Sequence, residues 1–101
     1  MVEKVQKPNV QLTANIPKAF KLAGCYWKVV ETEGFYDQGM CYPEEHLIRV
    51  RKELPKQAKE TTFYHELVHA ILFTMGETNH DEKYVDTFGA FLHQFNESKV
   101  K

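Results

Sequence analysis

The period of the apolar positions switches along this chain from about two residues to about 3.6 near Pro55. In His46-Leu47-Ile48-Arg49-Val50-Arg51, Ile48 and Val50 alternate with Leu47, Arg49 and Arg51, which predicts a strand with one apolar face. Upstream, Cys25 to Glu33 gathers Tyr26, Trp27, Val29, Val30 and Thr32, the β-branched and aromatic content of a strand. Gly34 to Gly39 reads as a connection, Met40-Cys41-Tyr42 as a second short strand and Pro43-Glu44-Glu45 as a turn. Earlier still, Ile16 to Gly24 reads as a short turn or extended approach that ends at Gly24.

Beyond Pro55 the pattern is helical. Pro is tolerated in a first turn, and Gly76 supplies a C-terminal stop, so a helix is expected from Pro55 to Met75. Phe63, Leu67, Val68, Ala70, Ile71, Leu72 and Met75 wrap beyond one face, as in a helix buried between layers, and leave only the side of His65, Glu66 and His69 polar. A last helix should start at Asp81, a suitable N-cap, and reach about Asn96. Val85, Phe88, Leu92 and Phe95 recur at helical spacing as its expected buried stripe, beside a stripe of Glu82, Asp86, Gly89 and His93.

The expected fold is therefore α+β: a small, meander-like sheet of about three strands packed on a long helix, plus a C-terminal helix. At 101 residues the chain has room for one domain. Residues 1–13 are expected as a poorly ordered arm or edge strand, 14–97 as the domain and 98–101 as a tail.

Composition narrows the function. Thirteen Lys and Arg against 14 Asp and Glu give a net charge of -1, with no field to recruit nucleic acid or an anionic membrane. No apolar run approaches a membrane span and the first residues show no secretory pattern, so a cytoplasmic protein without a membrane partner is expected. Cys25 and Cys41 do not form a CxxC pair and are expected as partly buried free thiols.

The chemistry lies in His65-Glu66-Leu67-Val68-His69, the pattern HExxH. On a helix the two histidines project one turn apart on one face and can grip a single ion, while Glu66 stands where it can take a proton from metal-activated water. A shuffled chain of this composition would carry the pattern roughly three times in a hundred, so its context has to support it. That context is an apolar helix, in which two histidines and a glutamate are costly to bury without a partner.

Catalytic zinc needs a third protein ligand. The extended HExxHxxGxxH pattern fails, because Leu72 and Met75 stand where Gly and His are required. Glu82-Lys83-Tyr84-Val85-Asp86 offers two carboxylates one turn apart. Glu82 is assigned to the metal and Asp86 to accepting a ring N–H from a ligating histidine, with Asp86 and His80 as rival third ligands.

HExxH followed by ExxxD resembles the gluzincin clan of zinc peptidases, to which thermolysin belongs, and more closely its compact phage-type members, the ImmA/IrrE-like and minigluzincin proteins. The likeness covers roughly residues 14–96, and its matching positions are His65, Glu66, His69, Glu82 and Asp86. It implies one Zn2+ ion on a minimal core, a peptide or protein substrate laid along Leu47 to Arg51 as an edge strand, and the host cytoplasm if the gene is phage-borne. Larger gluzincins add a Tyr or His that stabilises the oxyanion. Tyr84, Tyr64, Tyr42 and His80 are the unranked substitutes here.

The function expected is a zinc-dependent metallopeptidase with Glu66 as its base. The alternative is a zinc-containing module that binds a peptide or protein without cutting it, and a hydrolase of other substrates is a third reading. Of the remaining residues, His93 sits too far along the last helix to share an ion with Glu82 and is expected to pack as a polar group. His46 is expected on the surface, Trp27, Tyr26 and Phe35 in the core rather than in a substrate groove, and Arg49 and Arg51 on the solvent side of their strand.

Overall fold

A computed structural model describes residues 13–100 as an α+β domain with a four-stranded sheet and two helices. The strands are β1 (Ala19–Leu22), β2 (Cys25–Thr32), β3 (Gly39–Tyr42) and β4 (Leu47–Arg51), and the helices are α1 (Lys56–Thr74) and α2 (Glu82–Ser98). The proposed N-terminal arm falls almost wholly outside the described residues. Among these residues no helix is long and apolar enough to cross a membrane.

The sheet departs from the expected three-stranded meander in two ways. Part of the stretch read as a turn or approach is β1, which pairs antiparallel with β2 through a two-residue turn at Ala23 and Gly24. Both turn residues have positive φ, 50° and 81°, the backbone whose twist matches that of the flanking strands. Short strands of this kind leave little periodic signal.

The strand order is β1-β2-β4-β3, with β2 and β4 parallel and β3 antiparallel to β4. β4 is therefore an interior strand, bonded on both sides, and cannot accept an added peptide strand as the resemblance implied. The sheet edge beside the helix layer is β3. Burial explains the order: Ile48 and Val50 are fully buried, and an apolar strand of this kind gains most at the sheet centre. Arg49 and Arg51 are half-buried rather than simply solvent-facing. Arg49 Nη1 donates to Thr32 Oγ1 at 2.9 Å, and Arg51 donates from Nε to Phe35 O at 2.8 Å and from Nη2 to Tyr36 O, which fastens the loop that leads into β3.

Trp27, Ile48, Val50, Phe63, Tyr64 and Ala70 form the core between sheet and α1. Tyr26, expected there, is exposed, because it points to the other side of the pleat from Trp27. Cys25 is an exposed thiol rather than a partly buried one, and Cys41 is half-buried. His46 is exposed and stacks on Trp27 at 5.1 Å between ring centres.

Helix α1 starts after Pro55 and closes as the Gly76 stop requires. Glu77 N–H donates to Leu72 O and Gly76 N–H to Phe73 O, both at 2.9 Å, with Gly76 at φ 90°. Asp81 caps α2 by accepting from Lys83 N at 3.0 Å and Tyr84 N at 3.4 Å.

The buried face of α2 differs from the one expected. Val85 and Gly89 are buried and Leu92 packs against the core, whereas Phe88 and Phe95 are exposed. Gly89 decides this. A Cβ there would lie 3.1 Å from Tyr64 O and 3.2 Å from the His65 backbone, so the glycine lets α2 approach α1 closely and rotates the phenylalanines outward.

Candidate metal centre

A pocket of about 700 Å³ opens where α1, α2 and β3 meet. His65, Glu66 and His69 of α1, Glu82 and Asp86 of α2, and His80 of the connection line it together. All five site residues read from the sequence thus share one cavity with the rival ligand. Asp37, Gln38, Gly39 and Thr62 also line it. These the sequence reading missed; the one trace they left was the glycine that closes the connection from Gly34 to Gly39.

Glu82 faces both histidines. His65 Nε2 lies 3.1 Å from Glu82 Oε1 and His69 Nε2 lies 3.2 Å from Glu82 Oε2. The far nitrogens are engaged too: His65 Nδ1 is 3.3 Å from Asp86 Oδ1, and His69 Nδ1 is 2.7 Å from His80 Nδ1.

The contacts of His80 fix the proton of His69. His80 Nε2 must donate to Glu77 O, 2.6 Å away, because a carbonyl only accepts. A neutral His80 then accepts at Nδ1, so His69 donates from Nδ1 and presents a bare lone pair at Nε2. His65 has a carboxylate oxygen before each ring nitrogen, Asp86 Oδ1 at Nδ1 and Glu82 Oε1 at Nε2, so it can donate to either; when Nδ1 donates to Asp86, Nε2 is bare. Burial, set against the attraction of Glu82, holds the His69 imidazole below the ordinary histidine range and disfavours a second proton there.

With His65 donating to Asp86, two imidazole lone pairs aim at the two oxygens of one carboxylate, an arrangement that a cation between them would stabilise. His65, His69 and Glu82 could hold a metal ion: one ligand atom from each lies within 4.8 Å of the others. Their donor set, two nitrogens and a carboxylate, with the outer nitrogens bonded to Asp86 and His80, fits such an ion. His80 stands behind His69 in this geometry, with both ring nitrogens engaged.

Glu66 is only 8% exposed. Burial pushes its carboxyl up to about 7; nearby His65 opposes this, and the charges of Glu82 and Asp37 add to it. Its neighbour Cys41 is pushed up to about 12, by burial first and then by the charge of Glu66, so the thiol stays protonated and unreactive. Gly39 makes this crowding possible. A side chain there would collide with Thr62 Cγ2 and come within 3.2 Å of Glu66 Cγ.

The tyrosines considered for an oxyanion are not among the described residues that line the pocket. Tyr64 OH instead accepts from Asn96 Nδ2 at 2.9 Å, on the other side of α1.

His93 packs as a polar group, stacked on Tyr64 at 5.1 Å with Nε2 3.0 Å from Glu60 Oε1. Glu60, His93 and Glu97 bring ligand atoms together as well, but Lys56 Nζ at 3.0 Å and Asn15 N–H at 2.6 Å already serve Glu60. A cationic side chain takes the place an ion would need. The described site lies in a chain for which comparison with protein-family models, curated proteins and solved structures finds no match.

Proposed function

We propose that the chain is a zinc-dependent metallopeptidase, with His65, His69 and Glu82 as ligands and Glu66 as the general base. The observation that carries this reading is the convergence of His65 Nε2 and His69 Nε2 on the two oxygens of Glu82, with a nearly buried carboxylate next in sequence to the first of them. A nitrogen and carboxylate donor set of three suits zinc, which would supply Lewis-acid polarisation of a peptide carbonyl and acidify a water.

The chain's own residues supply the rest. His80 holds the His69 imidazole in the tautomer that leaves Nε2 free, and Asp86 would do the same for His65 once Glu82 Oε1 and His65 Nε2 share an ion. Glu66, pushed up to about 7, takes a proton from water near neutral pH and returns it to the leaving amine. The edge of β3, unpaired among the described residues and with Gly39, Met40 and Cys41 walling the pocket, is where an extended peptide would add as a strand.

One observation favours the second reading, a zinc-containing module that captures a peptide without cutting it. Every polar group of His80 is engaged and no tyrosine lines the described pocket, so a dedicated oxyanion donor is wanting among the described residues. A single experiment separates the readings: metal analysis of purified protein, then digestion of a denatured-proteome pool by wild type and by Glu66→Gln. Cleavage by wild type, lost in a variant that keeps its zinc, is the expected result. A zinc-loaded wild type that binds but leaves the pool intact would replace the peptidase with the module.

A further inference from the structure

Helix α2 carries a second apolar stripe that the domain does not use. Tyr84, Phe88, Phe91 and Phe95 are exposed by 53%, 36%, 61% and 65%, and their spacing of four, three and four residues places them within an arc of about 60°. The stripe runs about 16 Å along the helix. Its exposed surface equals about two whole aromatic side chains, roughly 300–500 Å². A monomer rarely leaves a patch of that size to water.

We propose that this stripe is the seam of a homodimer, in which a second copy of the chain lays its own α2 antiparallel across it. The four-three-four spacing is that of a two-helix seam, and it is self-complementary. With the two-fold axis beside Gly89 and Ala90, Phe88 meets the partner's Phe91 and Tyr84 meets the partner's Phe95. The flanks fit the same operator. On one side stand Thr87, Gln94 and Ser98, neutral groups that set no like charges against each other.

On the other side Asp81 lies at one end of the stripe and Lys99 at the opposite end, where Lys99 Nζ sits 5.9 Å over the Phe95 ring. Antiparallel packing brings each lysine to the partner's Asp81 and opposes the two helix dipoles. Parallel packing would set Lys99 against the partner's Lys99. The patch is at the low end for a specific interface, so the dimer is reversible and concentration-dependent.

Sedimentation equilibrium on the full chain tests this. The expected mass rises with concentration from 11.8 kDa to twice that value. Phe91→Asp should hold the protein at the monomer mass with an unchanged far-UV spectrum, while Phe91→Leu should still dimerise. Lys99→Glu should weaken association about fivefold, since both end pairs become repulsive. A wild type that stays monomeric at every concentration, or a Phe91→Asp protein that still dimerises, overturns the seam. An undiminished dimer in Lys99→Glu overturns the antiparallel arrangement.

Discussion

His69 Nδ1 and His80 Nδ1 lie 2.7 Å apart, and His80 Nε2 is held 2.6 Å from Glu77 O, so a single proton direction runs from one ring through the other to the backbone. The relay leaves His69 Nε2 bare toward Glu82. In the proposed site His80 would therefore act on metal binding through His69. Replacing it with alanine should lower zinc affinity about 10–100-fold, the usual effect of losing a partner that orients a ligand. Glu82→Gln, which loses a ligand and its charge, should lower affinity much further. Competition titration against a chelating dye measures both, and equal losses would contradict the assignment of Glu82 over His80.

Gly39 sets how closely the pocket wall approaches α1. A methyl group added there collides with Thr62 Cγ2 and crowds Glu66 Cγ at 3.2 Å and Arg49 O at 3.3 Å. Gly39→Ala should cost about 1–3 kcal/mol of stability through overpacking and displace Glu66. Thr62→Ser removes the methyl group in the way, so the double variant should regain much of the melting temperature. Denaturant unfolding of the four proteins in the cycle checks this, and strictly additive losses would count against the contact.

Glu60 is 1% exposed between the two helices. Burial alone would push its carboxyl up, but the Asn15 N–H, the Lys56 ammonium and His93 overcome that and hold it down, from 4.5 to about 2. A carboxyl depressed in the folded state stabilises the fold above its unfolded value, and that contribution fades as pH falls from about 4.5 toward 2. Glu60→Gln should cost about 2 kcal/mol at neutral pH, as for a buried group that loses a charged hydrogen bond. It should also flatten the loss of stability below pH 4.5, which thermal melts across the acid range will show.

Much of this architecture was legible wherever a period was long enough to read. The α1 and α2 boundaries followed from Pro55, Gly76 and Asp81, because caps and stops are local chemistry. The inward face of β4 followed from the alternation of Ile48 and Val50. The site residues His65, Glu66, His69, Glu82 and Asp86 meet in one pocket because HExxH and ExxxD each encode a helix face. What escaped was pairing. Whether β4 lies at the edge or the centre of a sheet depends on which strand comes to bond its free side, and no residue within β4 records that. The exposed Phe88 and Phe95 were missed for a similar reason: Gly89 contributes nothing to an apolar pattern, yet it decides which side of α2 faces α1.

The parallel pairing of β2 with β4 also shapes how the domain assembles. The β3–β4 pair can close through the short turn at Pro43–Glu45, but β4 joins β2 only after the whole intervening segment has been looped out. The pocket wall thus combines a local hairpin with a non-local pairing, and the non-local pairing is expected to be the slower step. In a pulse-labelling hydrogen-exchange experiment the amides between β2 and β4 should gain protection later than those within α1, so the groove beside β3 is completed after the helix that carries His65 and His69 has formed.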